Sequence, residues 1–453
     1  MIENMRKNTA LMANEKTPSP RRNGARAPDV HLNLNVRGLK QSATLTINEL
    51  SAQLQREGRE IFRLGLGQSP FPIPELLVED LRANAHQREF LPANGLETLR
   101  EAVASYHQRT KGIDCTAKEV LVGPGSKELM FLLQLVYYGD LVVPTPTWVS
   151  YAPQAQIIGR QIRWLPTRAE NNWRLTPDEL DKLCREDPSR PRLVILNYPS
   201  NPTGDTYELN ELKEIAKVAR NYRVVLLADE VYGELHHRGQ HVSIARFYPE
   251  GTIVSSGLSK WCGAGGWRLG TFTFPQSLHW LLDGMSVVAS QTYTSTSAPI
   301  QYAAVRAFQS GPEMEEYQLQ ARRILRTLGR HIWRRLKSVG IAVPEPKAAF
   351  YLFLDFGPLR SRLEMRGITS SDQICERLLE ETGIALLPGS AFSRPAEELT
   401  ARIAYVDFDG ARAMAAAQAI PPQQELDKVF LETYCGKVIT AIEILCDWLK
   451  TKL

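Results

Sequence analysis

The chain has 453 residues, 43% hydrophobic and 23% charged, with 54 basic against 50 acidic side chains and a net charge of +4. That mix excludes wholesale disorder, and so small a charge on so long a chain leaves no general footprint for nucleic acid. No apolar run approaches the roughly 20 residues that span a bilayer, and the length predicts two domains rather than one core.

Residues 1–30 carry Arg6, Lys7, Lys16, Arg21, Arg22 and Arg26 among Pro18, Pro20 and Pro28, and read as a flexible basic arm. They lack the apolar segment of a secretory signal. Their basic content leaves an organellar transit peptide open, although serine is scarce and Glu3 and Glu15 stand against it. Residues 31–75 are expected to join a smaller domain, 76–335 to form a large one, and 336–453 to complete the smaller.

Glu119–Val122 reads as a strand, followed by helical spacing of Leu129, Met130, Leu132, Leu133 and Val136. Leu141–Val143, Leu193–Leu196, Val224–Ala228, Ile253–Val254 and Leu269–Phe274 continue as strands, with a helix over Leu209–Tyr222. Strands apolar on both faces and separated by helices predict an α/β fold, a mostly parallel sheet covered by helices. Ligands in such folds sit beyond the carboxyl ends of the strands. After Pro344 and Pro346, strands are expected at Phe350–Asp355, Ile384–Leu387 and Arg402–Val406, with helices over Asp372–Thr382 and Leu426–Leu449, a smaller α+β domain.

The six cysteines are scattered and form no C-x-x-C pair, so neither a disulfide framework nor a zinc knuckle is indicated, and a reducing, cytoplasmic location follows. His236, His237 and His241 form the one histidine cluster. It reads as a solvated loop, with a metal site as the alternative.

Four segments after strands carry chemistry. Gly123-Pro124-Gly125-Ser126-Lys127 is a glycine turn into a helix start, suited to an anion and equally to an ordinary turn. Asn197-Tyr198-Pro199-Ser200-Asn201-Pro202-Thr203-Gly204 is a turn that also offers the Asn201 amide. Asp229, in Asp229-Glu230-Val231-Tyr232, ends a buried strand, where a carboxylate either meets a cation or caps a helix. Ser259-Lys260-Trp261 leads into a glycine-rich loop and Arg268. A desolvated lysine loses its proton readily and can form an imine with an aldehyde, and an arginine can hold a phosphate through two hydrogen bonds.

A phosphate cradle, an aspartate for a ring nitrogen, an imine-forming lysine and a phosphate arginine are together the requirements of pyridoxal 5′-phosphate. In this order the segments resemble the class I/II aminotransferases of PLP fold type I, over residues 31–453. The resemblance implies that Lys260 is the Schiff-base lysine and proton shuttle. It implies that Asp229 keeps the pyridine nitrogen protonated and that Asn201 and Tyr232 donate to the phenolate oxygen. Gly125, Ser126 and Lys127 match the phosphate turn, with Ser256 and Arg268 completing phosphate binding. Trp148 resembles the aromatic stacked on the ring, Arg402 the clamp for the substrate α-carboxylate, and Gly67 the glycine of the loop that closes over the substrate.

The implied activity is ping-pong transfer of an amino group from an amino acid to a 2-oxo acid by a homodimer with sites at its interface. The rivals are a C–S lyase or decarboxylase on the same fold and a binding or regulatory protein built on a degenerate enzyme fold, against which the presence of Lys260 and Asp229 stands. Two departures matter. Phe90 stands where the family commonly has a tyrosine, which removes a hydrogen bond from the neighbouring subunit. Gln291, Thr292 and Tyr293 stand where dicarboxylate-specific members often place an arginine. With Phe71, Trp148, Tyr151 and Tyr293 expected to line a less polar pocket, the sequence favours a hydrophobic or aromatic substrate.

Overall fold

The computed structural model describes residues 31–452, so the expected basic arm at 1–30 lies outside the described residues. Its strands are β1 (Phe62–Arg63), β2 (Val120–Gly123), β3 (Asp140–Thr145), β4 (Ile162–Pro166), β5 (Arg192–Asn197), β6 (Val225–Asp229), β7 (Thr252–Gly257), β8 (Gly270–Thr273), β9 (Tyr351–Asp355), β10 (Ile384–Ala385), β11 (Leu387–Pro388) and β12 (Thr400–Ala404).

Seven strands form one sheet in the order β2-β8-β7-β6-β5-β3-β4, with β8 antiparallel to both neighbours and the other pairs parallel. Its inner strands are buried on both faces: Val225–Asp229 has no position open to water. Helices cover it because each has one apolar stripe to bury. Thr176 caps the helix Pro177–Arg185 through a reciprocal pair with Glu179.

A second assembly packs β9, β11 and β12 as an antiparallel sheet, while β1 pairs with β10. The helix Pro312–Lys337 links the two assemblies. Pro312 starts it, Glu313 and Glu315 lie in its first turn, and Arg334, Arg335 and Lys337 in its last, the polarity that opposes its dipole. The largest apolar cluster runs from Phe62 to Leu449 without a break at residue 336.

Three expectations change here. The stretch Ile384–Leu387 divides between two sheets, its first half pairing with β1 and its second with β12. The expected helix Leu426–Leu449 is two, Lys428–Tyr434 and Gly436–Thr451, broken at Cys435. The expected strand Arg402–Val406 lies two residues earlier, at Thr400–Ala404. No helix among the described residues is long and apolar enough to cross a membrane.

Leu325, fully buried in the linking helix, tests how far the two assemblies share one core. Leu325→Ala should cost about 2–5 kcal/mol and lower the single denaturant midpoint, while exposed Val429→Ala stays within about 0.5 kcal/mol. Two separate transitions in the Leu325→Ala variant would contradict a shared core.

Candidate active site

Strand register brings the chemistry to one edge. Asn197 pairs with Asp229 and Asp229 with Ser255, so the ends of β5, β6 and β7 lie in a row. The reversed strand β8 starts at that same edge, because Gly270 pairs with both Gly123 and Gly257. The turn after β2, the loop carrying Lys260 and the arginine before β8 therefore converge. Between them lies a cavity of about 470 Å³, lined by Gly67, Ser126, Lys127, Trp148, Asn201, Asp229, Tyr232, Lys260, Arg268 and Arg402 among others.

The turn is built for close approach. Gly125 has φ 91°, and a Cβ there would overlap the Arg268 guanidinium. Arg268 is fastened across the turn by Nη1 to the Gly265 carbonyl at 3.0 Å and Nη2 to the Pro124 carbonyl at 3.3 Å. The first N–H groups of the helix Ser126–Val136 lack partners within the helix, as at any helix start. Lys127 holds its ammonium 5.6 Å over the Trp148 ring; burial lowers its pKa, with Arg268 nearby adding to the effect.

Asp229 is buried at the end of β6. Its Oδ2 accepts from the Tyr151 hydroxyl at 2.5 Å and from Asn197 Nδ2 at 3.2 Å. Its Oδ1 is buried without a partner among the described residues. Burial raises the Asp229 pKa to about 6, since a charge without water needs a counter-charge. Lys260 donates to the Gly67 carbonyl at 2.7 Å and lies 5.5 Å over the Tyr232 ring. Burial, reinforced by Arg402, lowers its pKa to about 8.

Pyridoxal phosphate, the cofactor the sequence implies, fits this donor set. A buried carboxylate oxygen with no partner among the described residues suits a protonated ring nitrogen, an amine of lowered proton affinity can take an aldehyde, and a glycine turn beside an arginine offers a phosphate cradle.

Arg402, on β12, is 1% exposed. Nη1 donates to Asn201 Oδ1 at 2.8 Å, Nη2 to the Gly65 carbonyl, and Nε has no partner among the described residues. The guanidinium lies between the rings of Tyr351 and Phe392, 4.7 and 4.9 Å from their centres. Gly67 is required by packing: a Cβ would overlap the Tyr351 hydroxyl. That hydroxyl is 2.7 Å from the Tyr232 hydroxyl.

Two expected residues stand behind the wall rather than in it: Gly125, whose contact is Arg268, and Ser256, fully buried in β7 with no partner for its Oγ among the described residues. Of the four aromatics expected to line the pocket, Trp148 alone does so. Tyr151 is spent on Asp229, Phe71 packs edge-on against Phe408, and Tyr293 joins the apolar cluster under the sheet.

The histidine cluster is not a solvated loop. His237 is buried between the carbonyls of Pro346 and Ala349, and His241 bonds Glu230 at 2.9 Å. Among the described residues no group of His, Cys, Asp or Glu side chains is placed to hold a metal ion. Sequence reasoning missed Tyr351, which reads only as an apolar strand position, and Ser42, Thr44 and Gln68, which also line the cavity. Ser42-Ala43-Thr44 carries no signal beyond a helix start.

The family model "Aminotransferase class I and II" matches residues 59–420. The aspartate aminotransferase of Geobacillus stearothermophilus is 33% identical over 370 residues, covering 80% of this chain and 91% of that protein. The aspartate/prephenate aminotransferase of Thermus thermophilus is 30% identical, covering 80% and 91%. The solved structure of the aspartate aminotransferase from Thermus thermophilus with maleate superposes with TM-score 0.78 at 26% identity, covering 92% of this chain and all of that one.

A lysine with pKa near 8 is about one quarter neutral at pH 7.5, against about one part in a thousand for an ordinary lysine. The neutral fraction rises with pH, so amine labelling of the cofactor-free protein should reach half its maximal rate at Lys260 near pH 8. A midpoint above pH 10 would overturn the desolvation argument.

Proposed function

The chain belongs to the class I and II aminotransferases and its cofactor is pyridoxal 5′-phosphate; from that premise we propose that it transfers the α-amino group of a dicarboxylic amino acid to a 2-oxo acid in a ping-pong sequence. The observation that carries the substrate class is the charge of the cavity: Lys127, Lys260, Arg268 and Arg402 face one carboxylate, Asp229. Relatives named aspartate aminotransferases support the same class and do not support the hydrophobic or aromatic preference expected from sequence. Lys127, which lines the cavity as Ser42 and Thr44 also do, is the cation available to a second carboxylate. The backbone of the turn and Arg268 serve the phosphate.

When bound, the cofactor supplies an electron-poor ring that delocalises the electron pair left when a substrate Cα loses its proton. Asp229 Oδ1 would hold the ring-nitrogen proton, with Tyr151 and Asn197 fixing the carboxylate. Trp148 would lie on the ring face. Asn201 Nδ2 and the Tyr232 hydroxyl would donate to the ring oxygen, Asn201 being oriented because its Oδ1 is already taken by Arg402. Arg402 binds the α-carboxylate and so sets which Cα bond faces the electron sink. Lys260 Nζ, with its proton affinity lowered by burial, would hold the cofactor through its aldehyde carbon and, once displaced by substrate, take and return the Cα proton. Residues 336–453 with 31–75 bring Arg402 and Gly67 against the large sheet, and closing that joint excludes water. We place the enzyme in the cytoplasm, in keeping with six free cysteines, five of them buried.

A panel of amino acids with 2-oxoglutarate as acceptor tests the substrate class. Aspartate or glutamate should exceed phenylalanine in kcat/KM. Lys127→Met should cut the dicarboxylate value by roughly 30-fold or more, the cost of leaving a desolvated carboxylate unpaired, and phenylalanine far less. Preference for phenylalanine in the wild type would restore the apolar reading, and release of ammonia and pyruvate without an acceptor would make the enzyme a lyase.

We further place the active form as a homodimer, in keeping with Phe90 and Tyr138, which are 88% and 92% exposed on the single chain. Sedimentation at micromolar concentration should give twice the mass of one chain. A monomer with full activity would exclude shared sites.

A further inference from the structure

Asp229 and its neighbour Glu230 face opposite ways. Asp229 lines the cavity; Glu230, fully buried, turns away from it into a second polar cluster. Lys111, the last residue of the helix Glu97–Lys111, lies 3.1 Å from Glu230 Oε2 and 3.8 Å from Glu234 Oε1. His241 Nε2 lies 2.9 Å from the same Glu230 oxygen. The Tyr198 hydroxyl donates to Glu230 Oε1 at 3.0 Å and accepts from the Ile244 amide at 2.6 Å. The Tyr106 hydroxyl donates to Glu234 Oε1 at 3.4 Å, and Arg322 Nε to the Glu234 carbonyl at 2.6 Å. His107 lies alongside Lys111, bonded to Thr273.

None of the cluster residues lines the cavity, yet they hold Glu230 within, and Glu234 just after, the four-residue segment that presents Asp229 and Tyr232 to it. Three carboxylates, at 229, 230 and 234, lie within six positions, all buried, with one ammonium between two of them. An uncompensated Glu230 would hold a proton more tightly on Asp229, the nearer acid, and withdraw it from a ring nitrogen. Burying this much charge is a poor route to stability, since a well-packed apolar set in its place is often no worse.

We propose that Lys111, Glu230 and His241 form a positioning unit that balances charge behind Asp229 and aims Asp229 and Tyr232 at the cofactor, thereby setting where the ring-nitrogen proton rests. The inference rests on the proposed role of Asp229. It assigns Lys111 and Glu230 no contact with substrate.

The test uses the holoenzyme and the pH at which the visible absorption of its bound cofactor changes, with cofactor dissociation as a second readout. Lys111→Met removes a positive charge and should raise that pH midpoint by roughly one unit. Glu230→Gln removes a negative charge and should lower it. The double variant Lys111→Met/Glu230→Gln restores the balance and should return the midpoint to within about 0.3 units of wild type, with tighter cofactor retention than Lys111→Met alone.

A role in packing alone predicts unchanged midpoints in the single variants, or a double variant worse than either, and both results overturn the proposal. Should Lys111→Met not fold, the downward shift in Glu230→Gln decides. Asp229→Asn separates this inference from its premise. If it leaves spectrum and turnover unchanged, the reading of Asp229 fails. If it abolishes turnover while the cluster variants titrate as wild type, the positioning unit alone fails.

Discussion

A carboxylate taken out of water must find a counter-charge or take up a proton, and Asp229 is buried at the end of β6 with no hydrogen-bond partner on its Oδ1 among the described residues. The rest of the site follows from that demand. Tyr151 and Asn197 satisfy one oxygen, and Asn197 in turn accepts from the Asn201 amide, so the carboxylate and the turn beyond β5 are held by one side chain. The open oxygen calls for a protonated nitrogen from outside the chain. The proposed placement of a pyridine ring against Asp229 would answer that need and offset the cost of its burial.

The same low-dielectric setting acts on the cations with opposite sign. Lys260 is pushed toward its neutral form by burial and by Arg402, which makes it a nucleophile near neutral pH. Arg402 cannot shed its proton and is accommodated by other means: two aromatic faces, the Asn201 amide oxygen and the Gly65 carbonyl. Its Nε, without a partner among the described residues, leaves donor capacity for the carboxylate proposed to bind there. One environment thus yields a reactive amine and a permanent charge, because ammonium and guanidinium differ in proton affinity.

Legibility of the sequence followed the range of the interactions involved. The strands of the large sheet could be read because each is an unbroken apolar run, a property of adjacent residues. The short strands of the smaller assembly were harder. Ile384–Leu387 looks like one strand, and only the positions of β1 and β12 show that it serves two sheets. The histidines at 236, 237 and 241 look like a polar loop because their partners, Pro346, Ala349 and Glu230, are distant in sequence or face the other way. Tyr351 escaped notice for a related reason. Its ring fits a core strand, and its hydroxyl gains meaning only where β9 meets Tyr232 and Gly67.

The amino-acid sequence by itself determined the fold class, the cofactor chemistry and the candidate residues at strand ends and in the loops beside them: Asn201, Asp229, Lys260 and Arg268. Those depend on local patterns, a glycine turn at a strand end or a lysine among glycines, that no tertiary contact needs to supply. The tertiary structure decided what fills the second tier: Tyr151 rather than a solvent-facing group on Asp229, one aromatic instead of four on the cavity wall, and a buried Lys111–Glu230–His241 cluster behind the site. Those choices turn on which side of a strand or turn a side chain faces once distant segments pack. A chain of 453 residues brings together positions more than a hundred apart, such as 111 with 230 and 201 with 402, whose proximity no local pattern encodes.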